Sequence, residues 1–94
     1  MNKELKQIKD EQGNIIGEAE FVDGKPHGYS KLWYSNGQMS QQASFQNGEY
    51  HGTYKSWWEN GQLKEEGQFK HGKKVGRYVW FNENGEIVSS HDFD

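Results

Sequence analysis

His27 and His51 stand 24 residues apart, and Glu18, Glu20, Glu65 and Glu66 are spread around them. Three chemistries could use such groups. A metal needs three or four converging ligands. Residues at equivalent places of a 24-residue repeat lie about two strands, or roughly 10 Å, apart. Val75 fills the slot where a third histidine would come, so no zinc site is expected. A paired-carboxylate hydrolase needs a cleft that raises one acid's pKa, and a flat sheet supplies none. No Ser-His-Asp arrangement exceeds what composition scatters along the chain, and a small hydrolase built on His51 is the least favoured reading. The remaining chemistry is non-covalent. Tyr34, Tyr54, Trp58, Tyr78 and Trp80 are more aromatic residues than one buried face requires, and Tyr and Trp are the side chains that interfaces favour. The expectation is a binding surface made of these five, with no catalytic residue, no metal and no cofactor.

The elements that must position them follow from a period. Gly13, Gly37, Gly61 and Gly85 recur every 24 residues. Phe21, Phe45, Phe69 and Phe93 keep the same spacing, as do Trp33, Trp57 and Phe81. A fixed period of this size marks a repeat architecture, and such chains are usually scaffolds or binding surfaces. The boundaries read as copies 10–33, 34–57 and 58–81 within one domain, 1–94, with half-copies 1–9 and 82–94 as caps. Asn36-Gly37 and Asn47-Gly48 read as type I′ hairpin turns, because both residues tolerate positive φ. The same slots hold Gln12-Gly13, Asp23-Gly24, Asn60-Gly61, His71-Gly72 and Asn84-Gly85. Turns this close leave no room for helices, so the fold class is all-β, a meander of about eight strands. These fall at 5–9, 14–22, 28–34, 38–46, 52–58, 62–70, 76–82 and 86–93.

Between turns the pattern alternates with period two. Met39, Gln41, Ala43 and Phe45 face one way, and Gln38, Ser40, Gln42 and Ser44 the other. The small residue at Ala19, Ala43 and Gly67 is expected to admit a ring from a neighbouring strand. That ring is expected to be Trp33, Trp57 or Phe81, which would place these three with Phe21, Phe45 and Phe69 on one buried face. The five binding residues would then lie on the opposite face. Gly28, Gly52 and Gly76 are expected to begin the strands that follow them.

Composition sets the limits. Hydrophobic residues are 31% of the chain and mean hydropathy is -1.20, which would suggest disorder were the apolar residues not in phase with the repeat. A net charge of -3 disfavours nucleic acid as a partner. Lys70, Lys73, Lys74 and Arg77 cluster around one turn, and a solvated loop is the favoured reading. An anionic membrane surface meeting that turn end-on is the weaker alternative. Cysteine is absent, and Met1 to Lys9 lacks the apolar run of a signal peptide, so a soluble, cytoplasmic chain is expected. A mature chain cleaved from a leader would read the same way.

Trp33-Tyr34-Ser35-Asn36-Gly37, Phe45-Gln46-Asn47-Gly48 and His51-Gly52 form a pattern that returns as Trp57-Trp58-Glu59-Asn60-Gly61, Phe69-Lys70-His71-Gly72 and Val75-Gly76. Over residues 10 to 94 the chain resembles the bacterial variant of the MORN repeat (membrane occupation and recognition nexus). Gln12, Val75 and Asn82 depart from the pattern, which suggests that the middle copies bind better than the ends. The resemblance implies an elongated, twisted, single-layer antiparallel sheet of stacked β-hairpins. It also implies protein–protein interaction, proposed phospholipid binding and self-association, here a homodimer or weak oligomer. Bacterial relatives are often labelled antitoxins of toxin–antitoxin pairs. A phosphoinositide kinase activity, another label in the family, is rejected because no Gly-rich phosphate loop is present.

Overall fold

A computed structural model describes residues 2–94. Eight strands run in chain order across one sheet: β1 (Lys3–Lys9), β2 (Ile15–Val22), β3 (Lys25–Trp33), β4 (Met39–Gln46), β5 (Glu49–Trp57), β6 (Leu63–Lys70), β7 (Lys73–Phe81) and β8 (Ile87–Phe93). Every neighbouring pair is antiparallel. The sheet measures 40 × 36 × 11 Å, a single layer, as the sequence predicts.

Two kinds of turn alternate along it. Asp23, Asn47 and His71 have φ of 50°, 52° and 51°, each followed by a glycine with positive φ. These are the type I′ links, in which both central residues must be left-handed. The other four turns differ from the prediction. Only the glycine is left-handed at Gly13, Gly37, Gly61 and Gly85. Gly37 N donates to Tyr34 O at 3.0 Å, Tyr34 N to Gln38 O at 2.8 Å, and Gln38 N to Asn36 Oδ1 at 2.9 Å. This is a type I turn closed by a glycine bulge, so the two Asn-Gly pairs of one copy do different work.

The odd strands begin at Lys25, Glu49 and Lys73, three residues before the glycines expected to start them. Gly28, Gly52 and Gly76 instead lie inside the strands, beside irregularities in the ladder. Between Ala43↔Tyr54 and Phe45↔Tyr50 the partner strand gains extra residues. An irregularity of this kind bends the strand and resets its pairing.

That register overturns the predicted faces. Residues directly opposite share a face. Ala43 opposes Tyr54, Phe45 opposes Tyr50 and Gly67 opposes Tyr54. The tyrosines therefore lie with the phenylalanines, and the small residues admit tyrosine rings rather than tryptophans. Trp33, Trp57 and Phe81 stand at strand ends, opposite Met39, Leu63 and Ile87 past a register shift. Among the described residues the rings that Phe45 and Phe69 touch are those of Tyr50, Tyr54 and Tyr78. Among the described residues Ala43 and Tyr78, each 1% exposed, are the buried hydrophobic ones, and the other hydrophobic side chains are half-covered or open.

Candidate binding face

The face that carries Ala43 and Gly67 is paved with rings from β4 to β8. Tyr50 stacks on Phe45 at 4.6 Å and tilts against Phe69 at 5.0 Å. Tyr54 meets Phe69 edge-on at 5.6 Å. Tyr78 meets Phe69 at 6.0 Å, Trp80 at 4.7 Å and Phe93 at 6.2 Å. Edge-to-face and offset contacts like these add to the area each ring buries. Lys74 lies across the far end, with Nζ 4.6 Å from the centre of the Tyr78 ring and 5.3 Å from that of Trp80.

Gly67 explains why Tyr78 is buried while Tyr54 is not. The Tyr78 ring lies so close over Gly67 that a β-carbon there would overlap it, coming within 2.8 Å of Cγ. The corresponding Tyr54, opposite Ala43, stays half-exposed.

One carboxylate sits among the rings. Glu65 accepts from the Tyr78 hydroxyl at 2.8 Å and from the Ser56 hydroxyl at 3.1 Å. Burial first, then the bond to Glu65 and its negative charge, push the Tyr78 phenol far up from its ordinary value. Burial, with Glu65 and Tyr50 adding to it, pushes Tyr54 up to about 12. Both phenols are hydrogen-bond donors at neutral pH and not proton acceptors.

The opposite face is polar. Tyr29 donates to Glu18 at 2.8 Å, Lys55 pairs with Glu66 at 3.6 Å, and Gln68 reaches Thr53 at 3.1 Å. The histidines serve turns. His27 Nδ1 accepts from Asn47 N at 3.2 Å and His51 Nδ1 from His71 N at 3.5 Å. Among the described residues no group of three or more His, Cys, Asp or Glu could hold a metal ion.

The five predicted contact residues do not form one patch. Tyr54, Tyr78 and Trp80 share the ring face, on the side opposite to that predicted. Tyr34 and Trp58 lie at the turn end and join neighbouring copies. The Tyr34 hydroxyl donates to Trp57 O at 2.6 Å, and Trp58 Nε1 donates to Phe81 O at 3.3 Å. Sequence reasoning missed Tyr50 as a member of the ring face. Tyr50 is invisible to the period because its equivalents are Pro26 and Lys74. Only the register, which puts it opposite Phe45, brings it in. The first copy lacks the central ring. Ser30 replaces tyrosine opposite Ala19, leaving an apolar groove of about 340 Å³ beside Ile8, Phe21 and Leu32.

No curated protein and no solved structure matches the chain. The MORN repeat variant matches three times, over residues 26–47, 50–71 and 74–94, each segment taking in one odd strand and the even strand after it. With most of its length covered by these matches, and a single sheet of stacked hairpins as its fold, the chain belongs to the MORN repeat variant family.

Proposed function

We propose that this chain is a non-catalytic module that binds a protein partner along the ring face of β4 to β8. MORN repeats are generally associated with protein or membrane-lipid binding. The observation that carries the choice is the run of touching rings from Phe45 to Phe93 on one side of a sheet only 11 Å thick. Among the described residues no second layer covers it. An apolar patch of this kind on a small chain marks an interaction site. Tyr54 and Trp80, half-exposed, are the anchors, and Tyr78 beneath them shapes the surface without offering area of its own. Tyr34 and Trp58 are left out of the contact set, since their polar tips already join turns.

The partner is a polypeptide segment rich in apolar side chains, with a donor for Glu65. A second copy packed face to face would be a homodimer, and neutralisation of a toxin would be one form of foreign binding. Lipid is less favoured, because Lys74 is folded over rings and the chain carries a charge of -3.

Co-purification with the product of the neighbouring gene, comparing the natural chain with a Tyr54→Ser/Trp80→Ser variant, tests this reading. The double variant should lose the partner while keeping its circular dichroism. Retention of the partner by the variant, together with loss of vesicle binding on reversing the charges of Lys70 and Lys73, would replace the protein reading with the lipid one.

A further inference from the structure

The two edges of the sheet are not alike. By the 24-residue spacing, β1 is a strand of the β3, β5 and β7 kind, and β8 one of the β2, β4 and β6 kind. An even strand followed by an odd one is the junction between adjacent copies, made three times inside the chain as β2·β3, β4·β5 and β6·β7. We propose that β8 of one molecule pairs with β1 of a second molecule, so that copies of this chain add head to tail and continue the repeat.

Register supports this first. β1 and β2 run antiparallel, as do β7 and β8, so a second molecule placed in the same orientation presents its β1 antiparallel to β8. The internal junctions, Glu65↔Trp80 and Gln68↔Val75 in one and Ala19↔Ser30 in another, give the pairs by spacing alone. Ser89 meets Ile8, His91 meets Lys6, and Asp92 meets Lys3 of the next molecule.

Charge supports it second. Lys3, Lys6 and Lys9 outnumber Glu4 on β1, while Glu86, Asp92 and Asp94 lie on or beside β8, which has no lysine or arginine. Two β1 edges would set lysines against lysines, and two β8 edges would set carboxylates together. Only the unlike edges are complementary.

The turns supply a third, independent observation. Asn36 Nδ2 donates to Glu59 O at 3.1 Å and Asn60 Nδ2 to Glu83 O at 2.9 Å, each reaching across to the next copy. Asn84 is third in this series, and its side-chain amide makes no hydrogen bond among the described residues. In the head-to-tail arrangement its acceptor is the Glu11 carbonyl of the second molecule. A contact between unlike surfaces does not close on itself at two, so the product is an open chain of molecules rather than a dimer.

Sedimentation of the 94-residue chain over a concentration series tests the proposal. The weight-average mass should climb past two chains without a plateau, and high salt should lower it. Asp92→Lys should weaken association by about tenfold, because it sets a positive charge against Lys3 of the next molecule. Lys3→Asp should do the same, although it also removes the 3.5 Å pair with Glu20. An equimolar mixture of the two variants should regain association, because each edge again meets its opposite. Asn84→Ala, exposed and harmless to the fold, should also weaken it. A monomer at every concentration, a plateau at two, or a mixture no more associated than its components would overturn the proposal. Tyr54→Ser/Trp80→Ser should leave this assembly intact, so failure here and failure of the ring-face reading are separable.

Discussion

Gly67 and Tyr78 make the tightest fit in the molecule, and substitutions there report on it directly. Gly67→Ala forces the Tyr78 ring off its seat and should cost about 1–3 kcal/mol, as overpacking does. Tyr78→Phe keeps the ring and leaves Glu65 with Ser56 as its remaining partner, a loss of about 1–2 kcal/mol. Tyr78→Ala should cost about 3–5 kcal/mol, more than Trp57→Ala, and urea denaturation of the variants would rank them. That a small residue must sit at Ala43 and Gly67 was legible in the sequence. Which ring it admits was not. Tyr54 and Trp57 are both aromatic and of opposite parity, so alternation offers two consistent faces. The register, set by the turn at Asn47-Gly48 and the irregularity near Gly52, chooses between them.

At the scale of elements, the strands themselves are plain in the sequence because each is bounded by a glycine turn. The turns are less so, since Asn36-Gly37 and Asn47-Gly48 share a dipeptide and differ in loop length. Asn47 sits at φ 52°, where a branched side chain is strained. Asn47→Val should therefore destabilise the β4–β5 hairpin by about 1–2 kcal/mol, whereas Asn36→Val should act only through lost hydrogen bonds. Asn60→Ala removes both the bond to Glu83 O and the one from Gln62 N. It should raise amide exchange at both neighbouring turns, which a single-turn role would not do. The proposed contact residues were only half legible for the same reason. Tyr34 and Trp58 look like spare aromatics in a list, and only the stacking of turns reveals what their polar tips hold.

For the whole molecule, a Cα radius of gyration of 14.5 Å exceeds the 12.4 Å or so expected of a compact chain this long. Small-angle scattering at low concentration should show that excess. Alkaline pH tests the ring face globally. Tyr54 holds its proton up to about 12 against an ordinary value of 10.0, and Tyr78 is shifted the same way. The folded state thus retains protons that the unfolded chain releases. Stability from these phenols is complete below about pH 10 and drains away as pH rises through about 12, so thermal midpoints should fall steeply in that window. Tyr78→Phe should flatten the fall.

Each strand packs almost entirely against the strands next to it in the chain, and the outermost two lie on opposite edges. Pulled by its two ends, the sheet would load one ladder at a time, like a seam being unpicked, instead of sharing the force across many bonds in shear. Each copy released lengthens the tether by about 80 Å. An optical trap should record small, low-force steps of that size, and an unfolding machine gripping either terminus could thread the chain through without ever meeting a single large barrier.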